Sequence, residues 1–169
     1  MQTKKICMIG DFAVGKTSLV SRYVLNQFSA DYITTIGVKI DTKDLILNSG
    51  DQIKLVLWDI AGTDSLATIG SNYLKGAVGY FLVVDGTRSA TFDSALQLQQ
   101  QAKTILGDAP FTLLLNKLDL SYQWTLNKDE IGGLKSNSWS IMECSARQGD
   151  GVEKAFQSLG ERMTIAVSS

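Results

Sequence analysis

The sequence predicts an α/β protein: a mostly parallel sheet covered by helices on both faces. Three observations predict it. Short apolar runs of strand length alternate with segments of helical spacing along the whole chain, the pattern of successive strand–helix–strand units. The runs Tyr80-Phe81-Leu82-Val83-Val84 and Phe111-Thr112-Leu113-Leu114-Leu115 are almost free of polar residues, as strands buried on both faces should be. The apolar run Ile6-Cys7-Met8-Ile9 leads into Gly10-Asp11-Phe12-Ala13-Val14-Gly15-Lys16-Thr17-Ser18 and then into a helical pattern, the order strand, phosphate loop, helix.

Each element follows from the local pattern. The first strand is expected over residues 4–9 and the first helix over 16–26, where Leu19, Val20, Tyr23 and Val24 share a face. Residues 26–36 read as an exposed irregular connection. Val38, Ile40 and Thr42 alternate with Lys39, Asp41 and Lys43, a half-buried strand. Asn48-Ser49-Gly50-Asp51 supplies a turn, and Ile53, Leu55 and Leu57 alternate again before Trp58, so these two strands form an antiparallel hairpin. A second irregular stretch after Asp59 carries Gly62 and Gly70, with a weak helix near 65–74. Residues 80–84 are the next strand. Phe92, Ala95, Leu96 and Gln99 open a helix running to Leu106, with Pro110 beyond its end. Strands at 111–115 and 140–144 flank a short helix at 128–135, weakened by Gly132 and Gly133. Val152, Ala155, Phe156, Leu159 and Met163 line one face of a closing helix.

Composition sets the bounds. The 169 residues make one domain, residues 1–169, with 44% hydrophobic and 20% charged residues, the balance of a globular protein with a single core. A net charge of −1 argues against nucleic acid as a partner, which favours a strongly basic surface. The chain has no histidine, which excludes histidine-centred triads and histidine zinc sites. Cys7 and Cys144, both in or beside strands, suggest reduced thiols and a cytoplasmic setting. No stretch reaches the roughly 18 apolar residues of a membrane span, and neither end of this sequence carries a lipidation signal; a monomer without a membrane anchor in this chain is the expectation, with either no lipidation or a lipidated tail following Ser169.

Ligands on such sheets bind beyond the carboxyl ends of the strands, and the chemistry-bearing residues fall there. In the phosphate loop, glycines at both ends let successive N–H groups of Phe12, Ala13, Val14, Gly15, Lys16, Thr17 and Ser18 face one anion, aided by the positive end of the following helix. Lys16 places a charge on outer phosphates, and the Thr17 hydroxyl suits Mg²⁺. Asp59-Ile60-Ala61-Gly62 spells D-x-x-G: Asp59 is placed to hold Mg²⁺ through water, and Gly62 lets its N–H approach a terminal phosphate. Taken alone it also reads as a capped strand end. Asn116-Lys117-Leu118-Asp119 spells N-K-x-D. Asp119 accepts only, so it selects an edge with two donors, as guanine has and adenine lacks. Asn116 holds the base and neighbouring loops, and the Lys117 stem covers the ring. At Ser145-Ala146-Arg147, the Ala146 N–H is placed to donate to guanine O6. Thr35, in Thr35-Ile36-Gly37, can ligate Mg²⁺ when a terminal phosphate draws its loop inward, or it is an ordinary strand-entry threonine. Phe28 can pack on base or sugar and Tyr32 can cover the phosphates; both can equally dock on the core.

These segments together resemble the Ras-like small GTPases, the Rab branch most closely, over essentially the whole chain. The resemblance rests on residues 10–18, Thr35-Ile36-Gly37-Val38, Trp58-Asp59-Ile60-Ala61-Gly62, Asn116-Lys117-Leu118-Asp119 and Cys144-Ser145-Ala146-Arg147. It implies a P-loop NTPase of the Ras-like G-domain type: a six-stranded, mostly parallel sheet with one antiparallel edge strand and about five helices. It also implies binding of GTP or GDP with Mg²⁺ held by Thr17, Thr35 and Asp59. Switches beginning at Thr35 and Gly62 would meet effector, exchange-factor and GTPase-activating proteins.

The chain departs from the Rab spelling W-D-T-A-G-Q-E. Thr63 stands where glutamine orients the attacking water, and a hydroxyl on a shorter arm cannot touch water and phosphate together. Slow hydrolysis, with Lys16, Thr35 and Thr63 as the catalytic set, is the expectation. Phe12 puts a ring at the lip where an activator's arginine would enter, which predicts a weaker response to such activators unless the ring folds against the second switch. Arg147 replaces the usual lysine without disturbing the backbone contacts at Ser145 and Ala146. Alternatives of other classes are a nucleotide-bound scaffold without turnover, favoured by Thr63 and Phe12, and a phosphate-loop kinase, disfavoured by Asp119.

Overall fold

The structure is a computed structural model and describes residues 1–31, 34–62 and 70–165. Tyr32, Thr63 and the first half of the expected helix near 65–74 lie outside the described residues. The element order is β1 (Gln2–Gly10), α1 (Lys16–Leu25), β2 (Val38–Ile46), β3 (Gln52–Ile60), α2 (Gly70–Leu74), β4 (Gly79–Asp85), α3 (Ser89–Leu106), β5 (Phe111–Asn116), a 3₁₀ helix (Leu118–Gln123), α4 (Lys128–Ser136), β6 (Ile141–Glu143) and α5 (Val152–Ile165). The six strands lie in the order β2-β3-β1-β4-β5-β6. Only β2 runs antiparallel to its neighbour, and it sits at the edge.

Strand alternation divides the core into two layers. Ile6, Met8, Phe81, Val83 and Leu114 face α1 and α5, where Tyr23 stacks on Phe156 with ring centroids 3.8 Å apart. Cys7, Ile9, Tyr80, Leu82, Leu113 and Leu115 face the other way, onto α3 and the partly buried Ile131 and Leu134 of α4. Helix α1, after β1, therefore covers one face, while Leu74 of α2, before β4, packs on the other. The strand order places β1 between β3 and β4, the kind of switch point beside which a crevice opens at the carboxyl edge. Both cysteines are free and buried, and burial pushes each thiol up to about 12, which makes them inert. Among the described residues no helix is long and apolar enough to cross a membrane.

Several boundaries differ from the sequence pattern for local reasons. The expected strand 140–144 shortens to Ile141–Glu143 because it is an edge strand, paired only with β5. Helix α3 starts at Ser89 rather than Phe92: the Thr91 hydroxyl bridges the Asp85 N–H and the Arg88 carbonyl and stitches an extra turn to the end of β4. Asp59 lies inside β3 rather than after it, paired with Lys39 of β2 and Met8 of β1. Helix α1 ends at Leu25, where Asn26 turns left-handed (φ 53°) and its N–H closes on the Arg22 carbonyl, an αL cap.

Candidate functional site

The loops after β1, β3, β5 and β6 surround a cleft of about 820 Å³ together with the connection before β2. Its first wall is the turn between β1 and α1. Gly15 there has φ 104°, and a Cβ on it would collide with the Asn116 amide, so only glycine permits the turn and the close approach together. No side chain caps α1, and no acidic residue lies in its first turn; its leading N–H groups are left for a ligand. Lys16 is 6% exposed and donates to the carbonyls of Gly10 (3.0 Å) and Asp11 (2.8 Å). Burial pulls its ammonium down to about 8, against the opposing pull of Asp59 and Asp11. It is a buried cation held by neutral acceptors.

Beside it, three oxygen-bearing side chains from three segments meet. Thr17 Oγ1 donates to Asp59 Oδ2 at 2.5 Å and lies 2.7 Å from Thr35 Oγ1, itself 3.5 Å from the same carboxylate oxygen. Asp59 is fully buried, and its other oxygen, Oδ1, has no hydrogen-bond partner among the described residues. Burial raises its carboxyl above the usual range despite the bonds from Thr17, the Lys16 charge and Thr35. A buried carboxylate oxygen without a partner is costly. Hard oxygen donors around it fit a small divalent cation such as Mg²⁺. Gly62 packs against the backbone of residue 12, where a Cβ would lie 2.6 Å from Phe12 Cα.

At the far end, the loops after β5 and β6 interlock. Asn116 Nδ2 donates to Val14 O at 3.0 Å and its Oδ1 accepts from Ala146 N–H at 3.2 Å, so one side chain ties three loops. Lys117 (φ 70°) donates to Asp85 Oδ2 at 2.7 Å and reaches Ala13 O at 3.4 Å; Ala13 is also left-handed (φ 60°). Asp119 Oδ1 accepts from Ser145 Oγ at 2.8 Å. Of the expected residues, Phe12, Ala13, Gly15, Lys16, Thr17, Ser18, Phe28, Thr35, Gly62, Asn116, Lys117, Asp119, Ala146 and Arg147 line the cleft. Val14, Asp59 and Ser145 are buried behind it, so Val14 can contribute only its backbone. The Asn116 side chain joins loops, as expected. Phe12 is 47% exposed, and its carbonyl accepts from Arg88 Nη2 at 2.7 Å.

The chain belongs to the Ras family. The model of that family matches residues 5–165. Among curated relatives, the Ras-related protein Rab11C of Lotus japonicus is 35% identical over 92% of this chain and 72% of its own length. Rab11E of the same plant is 38% identical over 90% and 70%, and Rab-1 of Theileria parva 35% over 97% and 76%. The fold is thus a Ras-like G domain, and the family supports a GTP-binding switch with GTPase activity in general.

Within this Ras-family chain, sequence motifs missed several residues that hold the site. Asp85, with its side chain 2% exposed, ends β4 and binds Lys117, Arg88 Nε (3.0 Å) and the Thr87 hydroxyl (2.7 Å). An acid closing a buried apolar run is the signal that picked out Asp59, and it was present here too. Ser94 of α3 donates to Asp11 Oδ2 at 3.0 Å. The Trp124 indole covers Gly86 and donates to Lys117 O at 2.9 Å. Arg22 reaches the loop after β6. None of these three carries a local sequence signal.

Proposed function

We propose that this chain is a guanine-nucleotide switch that binds GTP or GDP with Mg²⁺ in the cleft and hydrolyses GTP slowly. The observation that carries the reading is the convergence of Thr17, Thr35 and the half-satisfied Asp59 beside buried Lys16. Thr17 and Thr35 would hold Mg²⁺ directly and Asp59 through water; the ion would neutralise charge on the phosphates as it builds up in phosphoryl transfer. The Lys16 ammonium, buried among carbonyls, gains a charged partner when an anion enters, and the N–H groups of residues 12–18 cradle that anion. Asp119 accepts from the two donors of guanine, the Ala146 N–H serves O6, and Lys117 and Phe28 cover base and sugar. Thr35 closes a long connection, so its engagement reports whether a terminal phosphate is present. Regulators and effectors would read the surface around Thr35, residues 38–43 and residues 66–73, as is general in the family.

Slow turnover rests on Thr63, whose hydroxyl replaces the water-orienting amide. In a single-turnover assay of phosphate release, Thr63→Gln should raise the rate by about tenfold or more, with Lys16→Ala as the inactive control. An unchanged rate in Thr63→Gln would contradict the slow-hydrolysis reading. Wild type indistinguishable from Lys16→Ala would instead favour a nucleotide-bound scaffold, a reading that the exposed Phe12 ring at the lip also supports.

A further inference from the structure

The loop after β6 is gripped from the far end of α1. Arg22 Nε donates to Ala146 O at 2.8 Å and Nη2 to Arg147 O at 2.5 Å, while Nη1 donates to the Asn26 side chain at 3.1 Å. All three guanidinium nitrogens thus have acceptors, and the Arg22 stem runs alongside Gly149. Both peptides flanking Ala146 are held: the Ala146–Arg147 peptide through its carbonyl by Arg22, and the Ser145–Ala146 peptide through its N–H by Asn116 Oδ1. Ser145, one residue earlier, is held by Asp119 and by the Asp150 carbonyl.

We propose that Arg22 is a positioning residue for guanine selectivity: by fixing the Ala146–Arg147 peptide it holds the backbone of Ala146, so that the N–H of the preceding peptide is aimed at the base O6. The inference rests on the guanine-nucleotide reading above and goes beyond it. A planar guanidinium presents Nε and Nη2 as a rigid fork that serves the two carbonyls in one set geometry, whereas the donors of a lysine ammonium rotate about a single nitrogen. The same short helix begins with Lys16 and Thr17 and carries Arg22 in its last turn, so phosphate and base contacts share one rigid body. Without the fork, the carbonyls of Ala146 and Arg147 lose their side-chain partner, and Ala146 keeps only the Asn116 bond to its N–H, so that N–H is aimed less firmly at O6.

Competition binding with three diphosphates tests this. GDP offers O6, N1–H and the 2-amino group. In 6-thio-GDP a poorer acceptor replaces O6 while both donors to Asp119 remain; IDP keeps O6 and lacks the 2-amino group. In wild type both analogues should bind more weakly than GDP. In Arg22→Ala the preference for GDP over 6-thio-GDP should shrink by about threefold or more, while the preference over IDP, set by Asp119, stays the same. A general loosening of the structure would weaken all three ligands together and leave both preferences unchanged. Arg22→Lys, which keeps the charge and packing, should lose the O6 preference in part and serves if the alanine variant does not fold. An unchanged preference for GDP over 6-thio-GDP in a folded variant overturns the inference alone. A wild type that prefers neither GDP over IDP nor GDP over 6-thio-GDP overturns the guanine reading and this inference with it.

Discussion

Asp85 shows how much a single side chain outside the motifs can carry. Burial alone would raise its carboxyl, but hydrogen bonds from Lys117, Thr87 and Arg88 outweigh burial and hold it below the usual carboxylate range. A carboxylate whose folded pKa is depressed stabilises the fold above its unfolded value, about 3.9, and that contribution is lost as pH falls through the lower folded value. Both cations are partly exposed, Lys117 at 33% and Arg88 at 42%, so Asp85→Asn should cost about 1–2 kcal/mol at neutral pH, less than a fully buried pair. Denaturant titrations from pH 7 to pH 2 should show wild type and variant converging below about pH 4. A constant gap down to pH 2 would mean that the loss comes from packing rather than charge. The variant should also release nucleotide faster, because Lys117 and Arg88, whose guanidinium holds the Phe12 carbonyl, lose their common charged anchor.

At the scale of elements, helix α5 and helix α1 are joined chiefly through aromatic packing. Phe156 is fully buried, stacks on Tyr23 and meets Phe81 edge-on at 4.8 Å. Phe156→Ala should destabilise the domain by about 3–5 kcal/mol through the lost transfer energy and the cavity left behind, read as a shifted denaturation midpoint with an unchanged slope. Its preference among nucleotides should not change, since the ring lies in the core layer away from the cleft. Elements of this kind were legible in the sequence, because helical and strand periodicity is written in neighbouring residues: the six strands, α1, α3, α4 and α5 fall within a few residues of the pattern, and α2 ends where the helix expected near 65–74 does. The 3₁₀ helix Leu118–Gln123 was not, since its bonds, such as Leu120 N–H to Lys117 O, come from turn geometry after a left-handed lysine rather than from any apolar repeat. The shortened β6 was not legible either, because strand length at an edge is set by the one neighbour it pairs with.

At the scale of the whole molecule, the cleft is a joint between loops separated by up to the length of the chain. The motifs were readable because each loop carries its own chemistry: Lys16 and Thr17 after one strand, Asp59 at the end of a second, Asp119 after a third, Ala146 after a fourth. What joins them was readable only at Asn116, and there without its partners. Arg22 and Ala146 are 124 positions apart, and Asn116 lies 102 from Val14; such pairs leave no spacing in the sequence and emerge only when the sheet order brings the strand ends to one edge. A ligand that touches every loop should therefore stabilise the domain as a unit, by an amount that grows with the logarithm of its concentration over its Kd. The central claim is that these loops together enclose a Mg²⁺-bound guanine nucleotide, and isothermal calorimetry of nucleotide-free protein with GDP and with ADP, each with Mg²⁺, tests it most directly. The account predicts tight binding of GDP and binding of ADP weaker by about a thousandfold or more, since a site built to pair with a substrate's donors strongly rejects the analogue lacking them. Equal affinity for the two would contradict it.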